Sequence, residues 1–336
     1  MSRIGIIGAG SWGVALAVLL TNNGHQVKIW SALEKEVEAL TKKRELPNLL
    51  GVQLSETIVV TKDLKTAIFE QDVLILAVAS AYTRKVAHQM AEFIVAGQKV
   101  VNVAKGVEEG TLFTLSQVIE EELPNADVAV LSGPSHAEEV GKGIPTTCVV
   151  GARTKETAEY LQNIFMSPVF RVYTSPDILG IEIGGALKNV IALAAGIADG
   201  LGYGDNTKAA LITRGIAEIA RLGMKMGGKL QTFTGLSGIG DLIVTCASMH
   251  SRNRRAGILI GQGRTMEEAM KEVQMVVEGV YSARAALGLA QEYQVEMPII
   301  EQVNQVLFEG KTAAEAVTEL MLRDKTIEHS DLPWEL

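Results

Sequence analysis

The feature that most constrains this chain is its opening turn. "RIGIIGAGSWGVALAVLL", residues 3–20, carries a β-branched strand pattern into Gly8, Gly10 and Gly13 and then straight into an apolar helix pattern. Glycines spaced this way between a strand and a helix form the turn of a βαβ unit. The first permits the tight bend, the second lets a pyrophosphate approach the backbone, and the third lets helix and strand pack closely. The helix N-terminus offers unpaired N–H groups and the positive end of its dipole to phosphates. A dinucleotide site is therefore predicted, although the glycine spacing by itself also fits a packing turn.

The first half of the chain suits such a site. Strand-like runs recur at residues 3–8, 25–30, 57–61, 72–78, 99–103, 128–131, 146–150 and 169–176. Helical patterns stand between several of them, at 11–20, 34–43, 81–94, 112–123 and 155–166. Such alternation implies right-handed βαβ units and a mainly parallel sheet. After Pro176 the strand signals stop, and apolar residues fall at helical spacing over 181–199, 207–224, 265–273, 282–291 and 299–308. The 336 residues suffice for two cores. The expected architecture is an α/β Rossmann-like domain over 1–180 and a mostly α-helical domain over 181–336.

Charge and composition remove several function classes. A formal net charge of −8 opposes nonspecific nucleic-acid binding, which needs a basic surface. The most apolar stretch, 181–204, is interrupted by Glu182, Lys188 and Asp199, so no membrane insertion is expected. Cys148 and Cys246 stand far apart in no metal-ligand spacing, and the N-terminus has no signal-peptide pattern. A reducing, cytoplasmic setting is the expectation. No ligand cluster suggests a metal. Among His25, His88, His136, His250 and His329, none has the context of a His–Asp acid. His136, beside Ser135, is given at most an orienting role.

The second strand bears on which nucleotide is used. NAD-specific sites place an acid about twenty residues beyond the glycines, on the ribose 2′-hydroxyl. Here "VKIWSALEKE" puts Trp30 and Ser31 there. With no carboxylate to repel a 2′-phosphate, and Ser31 able to hydrogen-bond one, NADPH or dual use with NADH is favoured over strict NAD. No arginine stands there to clamp the phosphate.

Three further segments carry polar groups where apolar ones are expected. "VVNVAKGVEEGT" places Lys105 just after a strand, at the carboxyl edge where open α/β sheets bind ligands. "VLSGPSHAEEV" does the same with Gly133 to Ala137. Lys188 and Asn189 lie inside an apolar helix. Burying an unpaired ammonium is expensive, so Lys188 snorkels outward, pairs with Glu182 or Asp199, or serves chemistry.

Together with "GAGSWG", "KGVEEGT", "SGPSHAEEV", "ALKNVIALAAGIADGLGYGDNTKAALITRG", "GLSGIGDLIVTC" and "SRNRR", these segments give the chain its family likeness. Over nearly its whole length it resembles the bacterial-type NAD(P)-dependent glycerol-3-phosphate dehydrogenases. The resemblance implies a 6-phosphogluconate-dehydrogenase-like helical second domain and reversible reduction of dihydroxyacetone phosphate to sn-glycerol 3-phosphate for phospholipid synthesis. Lys188 matches the proton donor and acceptor, and Lys105 a residue touching substrate and cofactor. Asp241 matches a substrate-site carboxylate expected to hold Lys188. Ser251, Arg252 and Asn253 match the phosphate-binding group, and Gly133 and Ser135 substrate contacts. Ser11, Trp12, Ala137, Arg252, Val276 and Glu278 match cofactor contacts, alongside Gly8, Gly10, Gly13 and Ser31. At positions 31 and 32, many NADPH-favouring relatives carry a basic residue where this chain has Ser31 and Ala32. A homodimer acting on a small phosphorylated substrate is expected. The alternatives are a related hydroxy-acid or ketopantoate-type reductase, which would recognise a carboxylate, and a noncatalytic dinucleotide sensor.

Overall fold

The structure, a computed structural model, describes residues 1–325, 327 and 328. His329 lies outside the described residues. Eight strands form one sheet: β1 (Arg3–Ile7), β2 (Gln26–Trp30), β3 (Val59–Thr61), β4 (Val73–Leu76), β5 (Lys99–Asn102), β6 (Asp127–Ser132), β7 (Thr146–Ala152) and β8 (Phe170–Ser175). Their order is β3-β2-β1-β4-β5-β6-β7-β8. Its flanking helices are α1 (Ser11–Asn22), α2 (Glu34–Lys42), α3 (Leu64–Ile68), α4 (Thr83–Met90), α5 (Leu115–Glu122), α6 (Ala137–Val140) and α7 (Lys155–Phe165). The strand order reverses between β1 and β4, which opens the ligand crevice beyond the carboxyl end of β1. The β-branched residues of the central strands β1, β4, β5 and β6 are buried on both faces, as a sheet covered by helices requires, whereas the edge strands β3 and β8 leave Val59 and Thr174 exposed.

Two local readings change. The helix expected over 81–94 is α4 with a short 3₁₀ turn at each end. The sheet is parallel except between β6 and β7, which pair antiparallel. The link from β6 to β7 contains only the single turn α6, too little for a parallel crossover. That short link keeps residues 133–137 at the carboxyl edge of β6.

The rest is helical: α8 (Ile178–Gly200), α9 (Asp205–Lys225), α10 (Leu230–Phe233), α11 (Asp241–Ala247), α12 (Arg252–Gly261), α13 (Met266–Val273), α14 (Glu278–Glu292), α15 (Pro298–Phe308) and α16 (Ala313–Met321). α8 is long and apolar enough to cross a membrane, but 89% of its apolar window is buried within the protein. It is the axis of the second core, packed by α9, α11, α12 and α14. Its N-cap is Asp177, whose side chain accepts from Gly180 N–H. α11, α12 and α16 escaped the periodicity reading because they are short and, in α12, carry basic residues.

Candidate active site

The glycine turn has the geometry of a nucleotide cradle. Gly8 has φ +123° and its N–H donates to Trp30 O at 2.9 Å, joining the turn to the end of β2. A Cβ at Gly13 would lie 2.0 Å from Gly8 O, so that glycine is required by close packing. A Cβ at Gly10 would meet nothing within 4 Å. No contact within the protein demands Gly10, whereas an approaching ligand would. Beside it, the buried Ser11 Oγ has no partner among the described residues. An unclaimed hydroxyl at an uncapped helix start suits a pyrophosphate, and Trp12 packs alongside against the first core. These residues fit a dinucleotide.

Across the crevice, three charged side chains meet. Lys188 Nζ on α8 donates to Asp241 Oδ1 at 2.6 Å and to Thr245 Oγ1 at 2.7 Å. Lys105 Nζ donates to Asp241 Oδ2 at 2.6 Å and to Gly133 O at 3.1 Å. Asp241 starts α11 and is buried, with one carboxylate oxygen for each ammonium. The pairings offered for Lys188 by Glu182 or Asp199 are corrected here. Asp199 instead holds Lys208 and Arg254, while Glu182 accepts from Asn102 Nδ2 and Ser116 N–H, both at 3.0 Å.

Burial sets the electrostatics of this trio. It pushes Lys188 down to about 8, against the pull of Asp241 and with the help of the Lys105 charge. Burial alone would raise Asp241, but the two ammoniums outweigh it and hold the carboxylate below its usual range. Lys188 is 7% exposed and Lys105 is 19% exposed, so Lys105 lies nearer the opening. A buried ammonium titrating near neutrality can surrender and recover a proton in the working pH range.

The turn after β6 completes this wall. Ser135 Oγ donates to Gly133 O at 2.9 Å, and Ala137 begins α6. The His136 ring lies 5.7 Å from that of His250, and its buried Nε2 has no partner among the described residues. Burial, then the Lys188 charge, lowers the His136 pKa against the opposing pull of Glu138 and Asp241.

The "SRNRR" segment folds as the cap and start of α12. Ser251 Oγ accepts from Arg254 N–H at 3.2 Å. The N–H groups of Arg252 and Asn253 have no partner among the described residues, and neither has the half-buried Arg252 guanidinium. Unpaired N–H groups plus an arginine at the start of α12 suit a phosphate. Asn253 differs from expectation in its side chain. Its Nδ2 donates to Asn189 Oδ1 at 2.9 Å and its Oδ1 accepts from Gly279 N–H at 2.8 Å. It therefore ties α8, α12 and α14 together, leaving chiefly its backbone for an anion. Arg254 is bound to Asp199 at 2.8 Å. Glu278 opens α14 just after Val276 and accepts from Ser80 Oγ, bridging the loop after β4 to the helical half. Burial raises it, against the Ser80 hydrogen bonds and, more weakly, the Arg252 charge.

Three residues escaped the sequence reading. Thr245 lies one turn after Asp241, a spacing that "GDLIVTC" displays. Asn102 Oδ1 accepts from Ala104 N–H at 3.1 Å, which links Glu182 to the residue before Lys105. The third is Glu36, in the first turn of α2. Ser31 Oγ donates to Glu36 Oε2 at 2.5 Å and accepts from Leu33 N–H at 3.0 Å. The strand end itself carries no carboxylate, as the sequence shows, but one from the following helix stands beside Ser31.

A dinucleotide cradle facing a buried Lys–Asp–Lys trio and an anion pocket defines a two-domain nicotinamide-dependent dehydrogenase. Comparison with known sequences narrows that class. The profile described as NAD-dependent glycerol-3-phosphate dehydrogenase N-terminus matches residues 3–158, and its C-terminus counterpart residues 177–318. A glycerol-3-phosphate dehydrogenase [NAD(P)+] of Agathobacter rectalis is 65% identical over 335 residues, covering 99% of this chain and 100% of that one. That of Fusobacterium nucleatum is 65% identical over 334 residues, covering 98% and 99%. A crystal structure of glycerol-3-phosphate dehydrogenase from Coxiella burnetii superposes with TM-score 0.92 at 37% identity, covering 96% of this chain and 99% of that one. The chain belongs to the NAD-dependent glycerol-3-phosphate dehydrogenase family.

Proposed function

We propose that this protein reduces dihydroxyacetone phosphate to sn-glycerol 3-phosphate with NADH or NADPH, reversibly, and supplies phospholipid synthesis. When bound, a reduced nicotinamide would supply the hydride that C2 of the ketone accepts. Lys188 stabilises the negative charge growing on the C2 oxygen and delivers a proton to it, leaving a neutral amine to be reprotonated from solvent. Asp241 fixes Lys188 in place and anchors Lys105, which adds a second positive charge beside the reacting oxygen. Arg252 and the free N–H groups opening α12 take the phosphate, with Gly133 and Ser135 lining the opposite wall. Gly8, Gly10, Ser11, Trp12, Gly13, Ala137, Val276 and Glu278 hold the nucleotide. Residues 1–180 chiefly carry the nucleotide and 181–336 chiefly the substrate; the gap between the two family matches, 159–176, lies just before this division and α8 begins at Ile178.

The observation that carries this reading is the Lys188–Asp241–Lys105 trio, in which one buried carboxylate holds two ammoniums at 2.6 Å each, a costly arrangement to take out of water. We read the protein as cytoplasmic, which its buried free thiols Cys148 and Cys246 support. We also read it as a homodimer, supported by Tyr203, Met224 and Tyr281 left exposed on the helical half and checked by sedimentation. The activity is tested by offering dihydroxyacetone phosphate, dihydroxyacetone and ketopantoate with each nucleotide. Oxidation that depends on the phosphorylated ketone is expected. Consumption with ketopantoate alone, or binding of nucleotide without turnover of any ketone, would overturn the assignment.

A further inference from the structure

The sequence taken by itself favours NADPH or dual use, because Trp30 and Ser31 occupy the place of the ribose-binding acid. The structure reverses the local chemistry at that point. Gly8 N–H bonds to Trp30 O, so the next residue, Ser31, adjoins the glycine turn at the edge where a ribose attached to its pyrophosphate must lie. Ser31 is buried and its hydroxyl has one proton to give. That proton goes to Glu36 Oε2 at 2.5 Å, while Leu33 N–H is received at 3.0 Å. Ser31 therefore has no donor left for a phosphate. What it presents instead is a carboxylate, held in place from the first turn of α2, whose Oε1 accepts no hydrogen bond among the described residues.

Nearby cations do not cancel this charge. Lys62, in the loop after β3, is paired with Glu34 at 2.9 Å. Lys35 adjoins Glu36 in sequence, but consecutive helix residues point about 100° apart, and its side chain is exposed. Ala32 and Leu33 contribute no charge. A ribose 2′-hydroxyl can donate to the free oxygen of Glu36, whereas a 2′-phosphate meets like charge with no donor to offset it.

We propose that Glu36, positioned by Ser31, is the nucleotide-selecting residue of this chain and makes it discriminate in favour of NADH against NADPH. This rests on the nucleotide-binding part of the reading above and sharpens it. The Ser31–Glu36 pair does the work that a strand-end acid does in other dinucleotide folds. The glycine turn supplies affinity for the shared pyrophosphate, and Glu36 supplies the choice.

The test is equilibrium binding, read by nucleotide fluorescence on the full chain, with Kd measured for NADH and NADPH and with 2′,5′-ADP as a competing probe of the 2′-phosphate. The wild-type protein is expected to bind NADH more tightly by about tenfold or more, with 2′,5′-ADP a poor competitor. Glu36→Gln keeps shape and an acceptor but removes the charge. It should bring the two Kd values together, chiefly by tightening NADPH, and make 2′,5′-ADP an effective competitor. Equal Kd values in the wild type, or a ratio unmoved by E36Q in a variant with unchanged Tm, overturns the proposal. Turnover is scored separately. NADH-selective binding without reduction of dihydroxyacetone phosphate would leave this inference standing and sink the proposed activity, and equal turnover with both nucleotides at equal Kd would do the reverse.

Discussion

The two walls of the crevice are built by opposite means. For the pyrophosphate of the nucleotide the protein offers backbone: a glycine turn, the start of α1, and a single unclaimed hydroxyl at Ser11. Beside the reacting carbonyl it offers charged side chains set into the interior, with Lys188, Asp241 and Thr245 all buried. A pyrophosphate is a constant feature of every dinucleotide, and fixed N–H groups recognise it without moving a proton. A carbonyl under reduction changes charge, so the group beside it must change charge too. The contrast teaches that backbone provides recognition here and buried ionisable side chains provide chemistry.

The largest break in that contrast comes from Lys188→Ala. Its loss should lower kcat by about a thousandfold, within the range for a general acid, and leave nucleotide Kd unchanged. Steady-state rates beside a fluorescence titration check both halves. Asp241→Ala should strike both activity and stability, because it leaves the buried Lys188 ammonium unpaired beside the partly buried Lys105. A loss of about 3–5 kcal/mol is expected in denaturant unfolding. Arg252→Ala should raise KM for dihydroxyacetone phosphate by about 10- to 100-fold, the worth of charge-assisted hydrogen bonds, with little change for the unphosphorylated ketone. On the backbone wall Ser11→Ala should cost only about a factor of ten or less in nucleotide Kd, since one neutral hydrogen bond is lost among several. A larger loss at Ser11 than at Arg252 would erase the distinction between the walls.

How legible each wall was follows from the same difference. The glycine turn and the alternation around it could be read directly, since strands buried on both faces leave β-branched runs and α1 leaves an apolar run. α8 was also plain, being apolar all round. The short helices α11 and α12 were not, because their places are set by contact with α8 and not by their own periodicity. Lys188 and Lys105 stand out in the sequence as polar residues in apolar surroundings and Asp241 only through family likeness, yet their meeting at one carboxylate depends on residues 53 and 136 positions apart in sequence. Glu36 was missed because the acid was sought at the strand end, while a helix one turn later reaches the same place. Asn253 was assigned to the phosphate by motif, but its side chain is committed to Asn189 and Gly279.

The central claim, that Lys188 moves the proton, is tested most directly by the pH dependence of kcat/KM in both directions. Lys188 titrates near about 8, lowered from its ordinary range by burial. Ketone reduction needs the protonated form, so its kcat/KM should fall as pH rises through that value. Oxidation of glycerol 3-phosphate needs the neutral amine, so its kcat/KM should rise through the same value. Opposite limbs sharing one midpoint are the predicted result. Limbs of the same sign, or profiles flat between about pH 7 and 9 in both directions, would contradict the account.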